Sequence, residues 1–314
     1  MNCEQSDINE KIIKVSKKIL NTEILSVCPF ENITTNRVFK IITREKSYIF
    51  KIYKSGWPED GKLLFVDKQL TEHGISHAKI IVYSRDNSDF PNGYLIEECL
   101  PGTTADILSL SKDETIALFK KLGALVSQIH QIKLEGYGYI GCGVAQWSTF
   151  SEFMYNSFEE CTANLSSQNL LDGVELETLW EEIYQRLKVC DTYPSVLCHS
   201  DLSTKNLLVN SGEITLVDWD DSYSLCWMAD IASLTLWMKR EYGSDAEVYR
   251  KAFLDSYDTE YDKNAFYQVE DILHVRYGLD SLNYSIGTPL YDSVKVILKE
   301  SLEKCGMKVF KCLL

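Results

Sequence analysis

The sequence predicts an α+β fold with a strand-rich first part and a mainly helical second part. Residues 37–43, 46–53, 80–84 and 94–98 are short runs rich in Ile, Val, Tyr and Phe, the composition of strands. Beyond the breaker Pro101-Gly102 the apolar residues recur at helical spacing instead. Charge changes at the same place. Residues 1–100 hold 14 Lys+Arg and 14 Asp+Glu, residues 101–314 hold 18 and 32, so the whole net charge of −14 falls in the later part. With 45% hydrophobic and 25% charged residues the composition is globular. A chain of 314 residues suffices for one large two-part unit or two modest domains.

Each element has its own warrant. Ile8, Ile12, Ile13, Val15, Ile19 and Leu20 fall on one face of a short helix over residues 8–20. Arg37–Thr43 and Lys46–Tyr53 flank the polar turn Arg44-Glu45 and predict two strands. In the second, Tyr48, Phe50 and Ile52 alternate with Ile49 and Lys51. Gly56-Trp57-Pro58 breaks the chain, Leu63–His73 reads as a helix, and Ile80–Ser84 and Tyr94–Glu98 as two further strands. Ser111-Lys112-Asp113-Glu114 is a capping box, in which a hydroxyl and a carboxylate satisfy the first free N–H groups. Ile116, Phe119, Leu122, Val126 and Ile129 then form an apolar stripe. Helical patterns return over 176–189, 228–242 and most of 264–306. No repeat interrupts this order, and the switch near residue 100 is the clear boundary.

Several classes are disfavoured. An acidic second part is a poor match for phosphate backbones, so no nucleic-acid partner is expected; its field attracts cations, although solubility alone explains it equally well. The longest apolar stretch, 225–238, is interrupted by Asp230, which predicts no membrane span. Residues 1–18 mix acids with lysines and lack the apolar run of a secretory signal, so a cytoplasmic location is expected. Ten cysteines are scattered singly, with no C-x-x-C pair, and predict reduced thiols, with neither a disulfide framework nor a zinc site. No obligate protein partner is evident.

The chemistry concentrates in His199-Ser200-Asp201-Leu202-Ser203-Thr204-Lys205-Asn206, followed twelve positions later by Asp218-Trp219-Asp220. Ser195–Cys198 approaches as a strand. Leu207–Val209 and Ile214–Val217 read as a hairpin turning at Asn210-Ser211-Gly212-Glu213. The open end of that hairpin brings Asn206 and Asp218 together, and both carry the oxygens magnesium prefers. Asp201 lies in the loop entering the hairpin, a carboxylate suited to accepting a hydroxyl proton.

His-x-Asp-x-x-x-x-Asn with an Asp beyond a hairpin is the pattern of protein-kinase-like enzymes. The wording Leu197-Cys198-His199-Ser200-Asp201 with Val217-Asp218-Trp219-Asp220 resembles the aminoglycoside phosphotransferase family, since Asp-Phe-Gly is missing at the second site. The resemblance covers nearly the whole chain. It implies a two-lobed protein-kinase-like fold: a nucleotide-binding N-lobe over 1–97 with an antiparallel sheet and interior helix, a linker at 98–102, and a helical C-lobe over 103–314. It implies transfer of the γ-phosphoryl group of ATP or GTP to a hydroxyl, with Mg2+.

By the same resemblance Asp201 is the catalytic base or orienting acid, Asn206 and Asp218 hold magnesium, and Lys51 grips the α- and β-phosphates. Thr34-Thr35-Asn36-Arg37-Val38-Phe39 is similar to the short phosphate-covering loop, so Thr34 and Thr35 join the nucleotide site. Glu97 and Cys99 offer linker backbone groups to the base, Ile96 lines its pocket, and Ser203 stands near the γ-phosphate where protein kinases carry Lys. His199 and Asp230 brace the catalytic loop. One departure is plain: Glu59, Asp60 and Asp67 do not fall where the family's helix glutamate pairs with the strand lysine, so the partner of Lys51 is unassigned.

The acid-rich second part suits a cationic acceptor. Gly136-Tyr137-Gly138-Tyr139, Trp147 and Phe150-Ser151-Glu152-Phe153 resemble the insert of aminoglycoside enzymes, and Tyr277–Leu282 resembles hygromycin-type members. Asp220, Asp221, Glu270, Asp271 and Asp280 are the candidate acceptor carboxylates. The alternatives are a metabolic small-alcohol kinase acting on a choline, homoserine or macrolide-type acceptor, and a catalytically silent nucleotide-binding pseudokinase.

Overall fold

A computed structural model describes residues 3–30, 36–141, 143–310 and 313. The chain divides into two compact units, one of Met1–Thr103, Gly141–Gly143 and Leu208–Asp220, the other of Thr104–Ile140, Val144–Leu207 and Asp221–Leu314. The hairpin expected to belong with the helical part thus groups with the first.

The first unit begins with α1 (Cys3–Leu20) and a five-stranded antiparallel sheet of β1 (Ile24–Pro29), β2 (Arg37–Thr43), β3 (Ser47–Ile52), β4 (Ile80–Ser84) and β5 (Tyr94–Glu98) in the order β1-β2-β3-β5-β4. α2 (Lys62–Glu72) interrupts it. Strand alternation decides what each face carries. Phe50 pairs with Phe39 on one side and Ile96 on the other, and all three join Ile12, Val15, Ile41, Tyr48 and Tyr94 in a core. Lys51, one residue on, pairs with Val38 and Leu95 and points the opposite way, toward the face where Leu95 packs with Tyr53 and Leu63.

The short strand β6 (Thr103–Thr104) follows the linker. In the second unit α3 (Lys112–Ile129) starts at the predicted capping box, with Ser111 accepting from the Glu114 N–H. Gly123 lets it lie close to α8 (Ala246–Ser256), because a Cβ there would collide with the Phe253 carbonyl oxygen. α4 (Phe150–Asn156), α5 (Phe158–Ser167) and α6 (Gly173–Leu187) lead to β7 (Ser195–Cys198). β8 (Leu207–Asn210) and β9 (Glu213–Leu216) form the hairpin that groups with the first unit, whereas β10 (Tyr223–Cys226) belongs to the second and pairs antiparallel with β7, Tyr223 against Cys198. α7 (Trp227–Tyr242), α9 (Lys263–Ser285) and α10 (Tyr291–Lys304) complete the unit. α9 is buried on most of its circumference, from Phe266 to Asn283, so its polar residues Glu270, His274 and Arg276 are interior groups. The predicted helical run 264–306 is two helices, broken around Gly287, whose φ is +77°. No helix of the described residues is long and apolar enough to cross a membrane, and Cys28, Cys99, Cys161, Cys190, Cys198, Cys226 and Cys305 are free thiols.

Candidate active site

In the second unit the segment His199–Asn206 leaves β7 and turns sharply at Ser200, which adopts φ +64°. A left-handed conformation is costly for a residue with a side chain and needs support from its surroundings. Asp230, near the start of α7, supplies it. Its carboxylate accepts the His199 N–H at 2.9 Å and the Ser200 N–H at 2.8 Å, and faces His130 Nε2 at 3.1 Å. His130 Nδ1 in turn lies 2.8 Å from the Tyr257 hydroxyl. Burial alone would raise the Asp230 carboxyl, but the hydrogen bond and charge of His130, with His199 behind them, hold it below its ordinary range. His130, Cys198 and Asp230 are close enough to bracket a metal ion. The geometry is that of a brace, because both histidine nitrogens and both carboxylate oxygens are already engaged with protein groups.

His199 is wholly buried, and its Nδ1 accepts the Asp201 N–H at 3.3 Å. Committed at Nδ1 and shielded from solvent, this ring orients the loop and is poorly placed to serve as a base. Asp201 itself is exposed. A short turn, Thr204–Asn206, closed by the Asn206 N–H on the Ser203 carbonyl, folds the chain back on it. Asn206 Nδ2 then donates to the Asp201 carboxylate at 2.7 Å and to its carbonyl at 3.0 Å. Two acceptors fix which end of the amide is nitrogen, so Oδ1 is the end left for a ligand.

In the first unit Lys51 is buried in mid-sheet. Its Nζ lies 2.7 Å from Asp218 Oδ1 and 3.1 Å from Asp220 Oδ2. Desolvation pulls the lysine down, yet the charges of Asp220 and Asp218 outweigh it and keep the ammonium protonated well above its usual range. Asp218 takes φ +64° to reach inward. Glu97 shares this side of the sheet, as strand parity with Lys51 requires, and burial pushes its carboxyl up to about 7 against the pull of Lys51. Lys51, Glu97, Asp218 and Asp220 line a small pocket whose apolar wall is Leu63 and Val66 of α2.

Several expected site residues lie elsewhere. Thr34 and Thr35 fall outside the described residues. Ile96 is fully buried with Phe50 in the core against α1, on the opposite face of the sheet from Lys51, so it does not line a pocket there. The Cys99 N–H is spent on the Ser47 carbonyl at 3.3 Å and is unavailable to a base. Asp220 is a buried partner of Lys51, which removes it from the acceptor residues. Glu270 is buried in a bidentate ion pair with Arg250 and also accepts from Thr235 at 2.8 Å. Asp271 faces Lys239 at 3.9 Å and His274 at 3.8 Å.

Asp221 and Asp280 remain. Burial raises the Asp280 carboxyl, Arg276 lowers it, and Glu160 and Asp221 raise it further, which places the three acids in one electrostatic neighbourhood. Glu160 accepts from the Tyr139 hydroxyl at 3.3 Å. Tyr139 belongs to a ring cluster with Trp147, Phe153 and Tyr223, at centroid separations of 5.3 to 6.0 Å. Glu160 and Tyr223 were not singled out from sequence. One is an ordinary helix acid on α5 and the other sits in a strand without alternation.

A family model for phosphotransferase enzymes matches residues 26–267. The chain belongs to the phosphotransferase enzyme family. Among solved structures it is similar to a thermostable mutant of aminoglycoside phosphotransferase APH(4)-Ia in ternary complex with ADP and hygromycin B, at 15% identity and a TM-score of 0.68 over 94% of this chain and 97% of that one. The gentamicin complex of APH(2")-IIa gives 16% identity and 0.64 over 97% and 98%. The ethanolamine kinase of Plasmodium vivax gives 17% and 0.65 over 99% and 89%. No curated protein sequence matches the chain. At these identities the likeness establishes the fold, a kinase-like arrangement of antiparallel sheet and helices, and the family establishes phosphotransfer as the class of activity.

Proposed function

We propose that this phosphotransferase moves the γ-phosphoryl group of ATP or GTP to a hydroxyl of a small amine-bearing acceptor, an aminoglycoside, and that it does so in the cytoplasm. The observation that supports this most is the pair Asp201–Asn206. The amide holds the carboxylate in one rotamer, on a loop pinned by a buried Asp230, while leaving the carboxylate exposed. Asp201 accepts or orients the acceptor hydroxyl proton as its oxygen bonds to the γ-phosphorus and the β,γ-bridging oxygen departs.

Asn206 Oδ1 and the Asp218 carboxylate would hold magnesium. The donor set fits, since both are hard oxygens and Asp218 already accepts a cation, the Lys51 ammonium. Magnesium, when bound, neutralises charge on the phosphate oxygens. Lys51 binds the α- and β-phosphates as a fixed point charge, and Ser203 donates a neutral hydrogen bond near the γ-phosphate. Asp280, Asp221 and Glu160 read the acceptor's ammonium groups.

The ring cluster favours a second reading. Aromatic faces beside carboxylates also suit one small ammonium alcohol of the choline or ethanolamine type. A nucleotide-turnover screen against aminoglycosides, macrolides, choline, ethanolamine and amino-acid alcohols, with Asp201→Ala as the control, decides between them. Turnover with aminoglycosides supports the first reading and turnover with choline or ethanolamine alone the second. No acceptor raising turnover above the Asp201→Ala background would remove both.

A further inference from the structure

We infer that Asp220 is the permanent positioning carboxylate of Lys51, taking over a task that no acid of α2 performs. This rests on the nucleotide-binding part of the reading above and on no particular acceptor. The first turn of α2 carries Lys62, whose Nζ lies 2.7 Å from Glu59. Asp67 is spent on the Ile80 N–H at 3.1 Å and on His77 at 3.2 Å. Among the described residues the carboxylates that form ion pairs with Lys51 are Asp218 and Asp220, and they differ in character.

The Asp218 side chain is 47% exposed and the Asp220 side chain 9%. Asp220 is fixed from several directions. Oδ2 lies 3.1 Å from Lys51 Nζ and accepts Asn36 Nδ2 at 3.2 Å, and Oδ1 accepts the Tyr53 hydroxyl at 3.3 Å. Its backbone carbonyl accepts Lys62 Nζ at 3.2 Å. A half-exposed carboxylate can exchange its lysine for a metal ion. A buried one with three side-chain donors keeps its place, because leaving would strand each donor in a low-dielectric site. Asp218 is therefore the exchangeable partner and Asp220 the fixed one, holding the ammonium at one point whether or not Asp218 is bonded to it.

The test is the dissociation constant of a fluorescent ATP analogue, measured with magnesium and with chelator, for the wild type, Asp220→Asn, Tyr53→Phe and Asp218→Asn, each checked for folding by its melt. Asp220→Asn is expected to weaken binding about tenfold or more in both conditions, the loss of a charge-assisted contact. Tyr53→Phe keeps the charge of the pair and removes one of the donors that fix Asp220. It is expected to weaken binding about twofold to fourfold, again in both conditions. Asp218→Asn is expected to weaken binding only with magnesium. Folded Asp220→Asn or Tyr53→Phe protein with unchanged affinity overturns the inference, as does a loss seen only with magnesium, which would make Asp220 a metal ligand. Loss of acceptor turnover across the whole screen, with the Asp220→Asn effect intact, would remove the acceptor reading and leave this one standing. A wild type that binds no nucleotide removes both.

Discussion

Replacing Asp230 by alanine should destabilise the second unit by about 4 kcal/mol, roughly the cost of leaving its two backbone donors unpaired. Asp230 is 1% exposed and accepts two backbone N–H groups, at 2.9 and 2.8 Å, besides facing His130. A buried donor left without an acceptor costs about 1–3 kcal/mol. The His199 N–H is fully buried and belongs at the upper end, whereas the Ser200 N–H is partly reached by water and belongs at the lower. Urea unfolding should register the change as a lower midpoint at unchanged m. Acid adds a second check. The Asp230 carboxyl is depressed below its ordinary value of 3.8, so its contribution is complete above that pH and disappears as pH falls through the lower folded-state value. The gap between wild type and variant should therefore stay level from neutral pH to about 4 and close only in stronger acid. A loss under about 1 kcal/mol at unchanged m, or a gap that closes already between pH 7 and 5, would show that the carboxylate is not what holds the loop.

Other perturbations follow the same logic. Gly123→Ala forces a Cβ against the Phe253 carbonyl, and overpacking against backbone should outweigh the helix-propensity gain of about 1 kcal/mol, lowering the melting temperature; an equal or higher melt would mean α3 and α8 have room to part. Glu97 has a folded-state carboxyl raised from 4.5 to about 7, so the folded state binds its proton more tightly and stability falls as pH rises through that window. Glu97→Gln should flatten the stability profile between those values, and an unaltered slope would place the titration elsewhere. Asp280→Asn should raise the KM for the acceptor at least several-fold with nucleotide KM unchanged. Glu270→Gln should instead lower stability by about 1–3 kcal/mol through its stranded Arg250 and leave acceptor KM alone. The reverse pattern would exchange their roles.

What could be read from the sequence was local. β2, β4 and β5 fall at the bounds their sequence runs predict, and Ser111 and Glu114 mark the start of α3 to the residue. β1 escaped notice because Ile24–Pro29 is partly exposed and ends in proline, and β10 because Tyr223–Cys226 runs without a break into the apolar start of α7. Site residues divide the same way. Asp201 and Asn206, five apart on one loop, hydrogen-bond to each other, a contact the spacing does not announce, since the hairpin pattern pairs Asn206 with Asp218 instead. Chain spacing says nothing of which strand end folds back over a sheet, so the sequence points to α2 for the partner of Lys51 and to the acceptor for Asp220, where the structure pairs the two. Glu270 reads from sequence as a solvated helix acid because nothing in its own helix announces Arg250, which packs against it from another. Ile96 was an error of parity: once Phe50 is known to face it across the ladder, it must share the core side.

The order in which the chain is synthesised matters to the first unit. Asp220 follows Lys51 by 169 residues, and the hairpin that precedes it comes after most of the second unit's early helices. Counted from the end of β5 at Glu98 and at roughly 5–20 residues per second, the sheet exists for about 6–24 s with Lys51 facing Glu97 while neither Asp218 nor Asp220 is in place. The nascent sheet must stay open around Lys51 during that interval, or hold the ammonium in water, and it closes only when Leu208–Asp220 arrives. A fragment ending at residue 103 would be held permanently in that interval.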